Sequence, residues 1–108
     1  MQAARTHLGD KRRRYENKKP EYSKLYHTQR WIKQSNLFRE KNPLCVACLQ
    51  YGIITDCQGK DKNGRPKGAT DHIVPHKGNK RLFFDKTNWQ TLCLMHHNQK
   101  SAKERNDY

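Results

Sequence analysis

Two pairs of potential metal ligands constrain this chain more than any other feature: Cys45-Val46-Ala47-Cys48 and Cys93-Leu94-Met95-His96. Two residues between ligands let both side chains of one turn reach the same ion. Two such pairs complete the sulfur and nitrogen ligands of a tetrahedral structural zinc site. The chain has a reason to need one. It has 108 residues, of which only 32% are apolar. A domain of that size and composition buries a modest core, and small cores are commonly reinforced by a metal or by disulfides. Cys57 has no partner at this spacing. It reads as a free or buried thiol, although it could replace His96 as the fourth ligand.

Metal ligation is favoured over disulfides by the expected compartment. The segment Met1–His7 has no apolar run behind it of the kind a secretory signal carries. No stretch approaches the ~20 apolar residues that cross a membrane. A cytoplasmic, reducing setting is therefore expected, the host cell's cytoplasm if the gene is phage-borne. Charge points to the partner. Lys and Arg number 23 against 10 Asp and Glu, a net +13, which is the electrostatic footprint of a nucleic-acid binder. Part of it lies in residues 1–22, with Lys11-Arg12-Arg13-Arg14 and Lys18-Lys19 and few apolar groups. That segment reads as a basic flexible arm able to follow a phosphate backbone. Residues 23–108 read as one domain.

Within the domain, residues 23–41 read as a helix. Ser23 is a plausible N-cap, and Leu25, Tyr26, Trp31, Ile32, Leu37 and Phe38 roughly follow helical periodicity. The helix should stop before Pro43. Trp31 reads as an anchor in the core rather than a base-stacking platform. A Cys-containing turn follows over residues 44–57, then a loop rich in Gly, Lys, Asn and Pro over 58–69. Residues 70–75 read as a short strand ending at a proline, residues 89–92 as a second strand, and residues 94–105 as a polar helix.

The chemistry-bearing residues fall between Asp71 and Lys100. Asp71 and His72 lie on the first strand, Asn88 directly precedes the second, and His97 directly follows His96 at the start of the last helix. A carboxylate can hold a hard metal ion, and a neutral imidazole beside it can take a proton from water. A second histidine on the adjoining helix can complete a metal site. The Asn88 amide could hold the base histidine in its useful orientation.

In this order and spacing, Asp71-His72-Ile73-Val74-Pro75, then Asn88, then Cys93-Leu94-Met95-His96-His97-Asn98-Gln99-Lys100 resemble the HNH endonuclease motif. Upstream, Tyr26-His27-Thr28-Gln29-Arg30-Trp31 and the run from Pro43 through Cys45 and Cys48 are similar to the small HNH proteins of tailed bacteriophages and prophages. The likeness spans about residues 22 to 104. It departs from the common pattern at His96, where many relatives carry a second cysteine, at Trp89, where leucine is usual, and in the inter-strand loop, which has only Gly78 of the usual paired glycines.

The resemblance implies an α+β fold: a small ββα-metal (His-Me finger) unit stapled by a structural zinc on Cys45, Cys48, Cys93 and His96, with the N-terminal helix packed on it. By position it implies His72 as general base, Asn88 as the middle residue of the motif, and Asp71 and His97 as ligands of a catalytic divalent ion, Mg²⁺ or else Mn²⁺ or Ni²⁺. The substrate implied is DNA, cut at the phosphodiester bond to leave a 5′-phosphate. Lys77, Lys80, Arg81 and Lys100 flank the motif and are candidate phosphate contacts. Such contacts give affinity without sequence choice, so low sequence specificity is expected. A phage terminase is a possible partner, and a monomer is expected. The main rival class is a non-catalytic zinc-finger DNA-binding module. It accounts for the charge and the cysteine pairs but leaves Asp71, His72, Asn88 and His97 without a task. A secreted, disulfide-rich peptide fits least.

Overall fold

The computed structural model describes residues 20–106, so most of the expected basic arm lies outside the described residues. In place of one helix over residues 23–41, the chain forms a 3-10 segment, Glu21–His27, and a helix α1, Gln29–Lys41. Thr28 makes the break. Its backbone is extended, and its hydroxyl accepts the Trp31 N–H at 3.2 Å, so Thr28 rather than Ser23 is the N-cap. Helix α1 ends at Lys41, two residues before Pro43.

The apolar face of α1 is narrower than its sequence suggests. Ile32 and Leu37 are exposed, while Trp31 and Ser35 are buried. The small Ser35 lets the first strand approach the helix. Thr70 Oγ1 donates to the Ser35 carbonyl at 3.0 Å, and Arg39 Nη1 donates to Thr70 Oγ1 at 3.0 Å. A satisfied polar seam of this kind fixes register, because each donor has one partner within reach.

After α1 the chain turns into a short helix α2, Val46–Gln50, capped by the Cys45 sulfur, which accepts the Cys48 N–H at 3.4 Å. An isolated bridge between Leu44 and Asp56 closes this turn. Strand β1, Gly68–His72, pairs antiparallel with β2, Trp89–Cys93, in the register Gly68↔Cys93 through His72↔Trp89. The first strand thus begins and ends earlier than the sequence suggests. It can start at residue 68 because Gly68 has no side chain: a Cβ there would lie 2.5 Å from Cys57 Cβ and 2.7 Å from the Leu92 carbonyl oxygen. It ends at His72 because the backbone of Val74 bonds to the Asn88 side chain instead of to a strand.

The connection between the strands carries a single-turn helix α3, Lys80–Phe83, capped by Asn79, and a 3-10 turn, Lys86–Asn88, capped by Asp85. Helix α4, Leu94–Asn106, leaves β2 without a loop. Two small cores result. Trp31, Phe83 and Trp89 pack with Leu25, Phe38 and Phe84. Cys45, Cys48, Cys57, Leu92 and Cys93 form the other. Strand β2 feeds both, and the architecture is the α+β, ββα arrangement expected. Among the described residues no helix is long and apolar enough to cross a membrane.

Candidate active site and metal centre

The four expected zinc ligands converge. The ligand atoms of Cys45, Cys48, Cys93 and His96 all lie within 4.8 Å of one another. His96 Nδ1 is 3.6, 3.5 and 3.2 Å from the sulfurs of Cys45, Cys48 and Cys93, and Cys48 Sγ is 3.9 Å from Cys93 Sγ. Ideal Zn–S and Zn–N lengths give tetrahedron edges of about 3.8 Å between sulfurs and about 3.6 Å between sulfur and nitrogen. The cluster therefore fits zinc, with His96 bound through Nδ1. Burial raises the Cys45 thiol, but hydrogen bonds from Cys93, Cys48 and His96 outweigh it and lower Cys45 to about 6, which favours the thiolate a metal requires. Cys57 is buried beside the cluster but outside it, with its sulfur 3.7 Å from the Thr55 carbonyl. Burial first, then the neighbouring thiols, push it up to about 11. It is a neutral, space-filling thiol.

At the other end of the hairpin lies a cleft of about 190 Å³ whose lining includes Asp71, His72 and His97. Asp71 and His72 are consecutive on β1, so their side chains point to opposite faces of the hairpin. Asp71 is turned toward α4. Its Oδ1 is 3.8 Å from His97 Nε2, and its Oδ2 accepts Gln90 Nε2 at 2.9 Å from the paired position on β2. A gap of 3.8 Å is too long for a hydrogen bond but within the about 4.2 Å that two ligands at ~2.1 Å from one ion can span. The pair fits a divalent ion with oxygen and nitrogen donors.

His72 is turned toward α1. Its ring stacks on Trp31, with centroids 5.2 Å apart and planes 17° from parallel. Its Nε2 lies 2.9 Å from the Phe83 carbonyl. A carbonyl only accepts, so Nε2 carries the hydrogen and Nδ1 keeps the lone pair. Trp89 Nε1 donates to the same carbonyl at 2.9 Å, which fixes that oxygen in place. Burial lowers the His72 pKa from its ordinary value, partly offset by the Phe83 hydrogen bond and by the Asp71 charge. The imidazole is neutral at pH 7, its lone pair is on Nδ1, and the residue lines the cleft.

Two expected residues sit differently from their sequence-based reading. The Asn88 amide is hydrogen-bonded to the backbone of Val74 rather than to the His72 ring. Its Oδ1 accepts the Val74 N–H and its Nδ2 donates to the Val74 carbonyl, both at 2.9 Å, while its own carbonyl accepts the Ile73 N–H at 2.7 Å. It ties down the chain leaving His72. Lys100 is turned inward rather than toward solvent. Its ammonium donates to the His72 carbonyl at 2.9 Å, lies 3.3 Å from Asp71 Oδ2, and hydrogen-bonds Glu104 one turn along α4. Burial alone lowers it, but Glu104 and Asp71 outweigh that and raise its pKa, so it stays charged. Of the other basic candidates, Lys77 lines the cleft at φ 49°. Lys80 and Arg81 line a neighbouring groove with Arg30, whose guanidinium lies 3.9 Å above the Phe84 ring.

Tyr22, Tyr26, His76 and Glu104 also line the cleft, and the sequence marked none of them as a site residue, Tyr26 having been read as part of a helix's apolar face. Only Glu104 left a local signal, four residues after Lys100 on a helix. Tyr26 Oη lies 2.8 Å from His76 Nε2, a contact 50 residues apart in the chain that no local pattern encodes.

No family model and no curated protein matches the sequence. Among solved structures, the chain is similar to the HNH endonuclease of the deep-sea thermophilic bacteriophage GVE2, determined with a manganese ion, at 25% identity and a TM-score of 0.60, over 100% of this chain and 98% of that one. The ββα hairpin, the Cys3His cluster and a whole-length match of that kind support an HNH-type endonuclease, a hydrolase of phosphodiester bonds.

Proposed function

We propose that the protein is a DNA endonuclease that uses one divalent ion held by Asp71 and His97, and that His72 is its general base. The observation that carries this reading is the held tautomer of His72. Its Nε2–H is committed to the Phe83 carbonyl, which leaves the lone pair on Nδ1 of a residue that lines the same cleft as Asp71 and His97. A base so placed takes a proton from water attacking phosphorus in line. The divalent ion, Mg²⁺ or else Mn²⁺ or Ni²⁺, supplies electrostatic stabilisation of charge on the phosphate and on the leaving 3′ oxygen. The manganese-bound relative supports a metal of this class. Lys100 orders the same end of the hairpin by joining Asp71, Glu104 and the His72 carbonyl. Asn88 holds the chain after His72. The Cys3His cluster carries structural zinc. Lys77, Lys80 and Arg81 contact phosphates, and contacts of that kind give affinity without sequence choice.

Incubation of supercoiled plasmid with Mg²⁺, Mn²⁺, Ni²⁺ or EDTA tests the reading. Metal-dependent nicking or linearisation is the expected result. Cleavage that starts only when a phage large terminase subunit is added would assign the protein to DNA packaging. Tight DNA binding without cleavage, with and without that partner, would instead mark a non-catalytic zinc module.

A further inference from the structure

The hydrogen bonds around His76 fix where the proton of a neighbouring phenol points. His76 sits in the turn after β1 and is buried. Gly78 N–H lies 3.0 Å from His76 Nδ1. A backbone N–H can only donate, so Nδ1 must hold a lone pair. The hydrogen of the neutral ring is then on Nε2, which lies 2.8 Å from Tyr26 Oη. His76 Nε2 donates and the phenol oxygen accepts. The phenol's own hydrogen is therefore not spent on His76.

The surroundings hold this arrangement rigidly. Lys77 and Gly78 both have positive φ, 49° and 89°, which wraps the backbone tightly enough to bring the Gly78 N–H onto the His76 ring. The His76 ring meets Tyr22 edge-on at 4.9 Å and His72 at 4.8 Å. The Tyr26 ring packs edge-on against Phe83 at 4.8 Å and Trp31 at 5.5 Å. Tyr26 is nevertheless 37% exposed, and it lines the cleft that holds Asp71, His72 and His97.

We propose that Tyr26 is a further catalytic residue, whose hydroxyl donates a hydrogen bond to a non-bridging oxygen of the phosphate under attack, and that His76 is the positioning residue that aims it. The inference rests on the endonuclease reading above. An oriented donor of this kind acts where charge builds up on phosphate oxygens, and it costs little reorganisation because its direction is already set. Burial, then Tyr22, Asp71 and Glu104, raise the phenol to about 12, so it remains a donor through the neutral range. Burial and the neighbouring His72 lower His76 to about 4, which keeps its ring neutral there.

Three variants test it on the full-length, zinc-loaded protein with a defined DNA duplex in Mn²⁺: Tyr26→Phe, His76→Ala and the double variant. Tyr26→Phe keeps the ring packing and removes one hydroxyl. We expect kcat to fall about 100-fold, the usual effect of losing one such donor, with KM and Mn²⁺ affinity within about threefold of wild type. His76→Ala should lose less, and the double variant no more than Tyr26→Phe, because residues acting through one contact are not additive. A Tyr26→Phe kcat within about threefold of wild type overturns the proposal. Wild-type protein that cuts nothing in any metal sinks the endonuclease reading instead, so the two failures are distinguishable. If a variant fails to fold, the His76 tautomer in wild-type protein decides by ¹⁵N NMR. Protonated Nε2 with bare Nδ1 supports the assignment, and the opposite tautomer overturns it.

Discussion

Replacing Asn88 separates a residue that acts on substrate from one that holds the site together. Its carboxamide makes two hydrogen bonds to Val74, both 2.9 Å. Each is worth about 1 kcal/mol net, and a buried group left without a partner costs about 1–3 kcal/mol. Asn88 is buried but Val74 is 54% exposed, so water can reach the orphaned Val74 groups and the low end of that range applies. Asn88→Ala should therefore cost about 2 kcal/mol, near 10 °C in Tm for a domain of this size. Asn88→Asp keeps an acceptor for the Val74 N–H but sets an oxygen against the Val74 carbonyl, so it should cost at least as much as losing one bond. Because the segment Val74 belongs to follows His72 directly, kcat should fall as well, by up to about 100-fold for a misplacement near 1 Å. Denaturant unfolding of zinc-loaded protein gives the stability, and plasmid cleavage gives kcat. The reasoning is refuted if Asn88→Ala leaves stability within about 0.5 kcal/mol of wild type while kcat drops more than a thousandfold. That pattern would mean that the amide works on the substrate itself.

Two further outcomes follow from the metal cluster and from the buried base. Stripping zinc with a strong chelator should abolish the cooperative unfolding transition, because structural zinc is worth about 10–16 kcal/mol in small sites against about 5–15 kcal/mol for a whole domain; a Tm unchanged by chelation would refute the staple. The pH profile of kcat/KM should rise with pH through the lowered pKa of His72 and then level off, placing the acid limb below the ordinary histidine value of ~6.5. The sign follows from the neutral form being the base: burial disfavours the imidazolium, so the active form persists to lower pH. An acid limb above pH 7 would contradict it.

What could be read from the sequence was local or metal-bound. The spacing Cys45-x-x-Cys48 and Cys93-x-x-His96 defines one turn each, so geometry within a turn was enough to foresee the cluster. The start of the last helix was legible too, at Leu94. Contacts that depend on how elements pack were not. Periodicity could not show that Ser35, rather than Ile32 or Leu37, would be buried, because the choice is made by Thr70 on a strand 35 residues away. Lys100 reads as a surface cation until Asp71 and Glu104 converge on it. The motif's middle residue, Asn88, was placed beside the base, whereas the turn at residues 86–88 aims it at Val74. The pairing of Tyr26 with His76 needed the fold itself.

The central claim rests on the free nitrogen of His72, and the cleavage rate of His72→Ala tests it most directly. The variant should be compared with wild type in Mn²⁺ after matched checks of zinc content, fold and DNA binding. The account predicts a loss of about 10²- to 10⁴-fold, the usual contribution of a positioned general base. A variant that cuts within about threefold of the wild-type rate would contradict it, and the proton acceptor would then have to be sought elsewhere in the cleft.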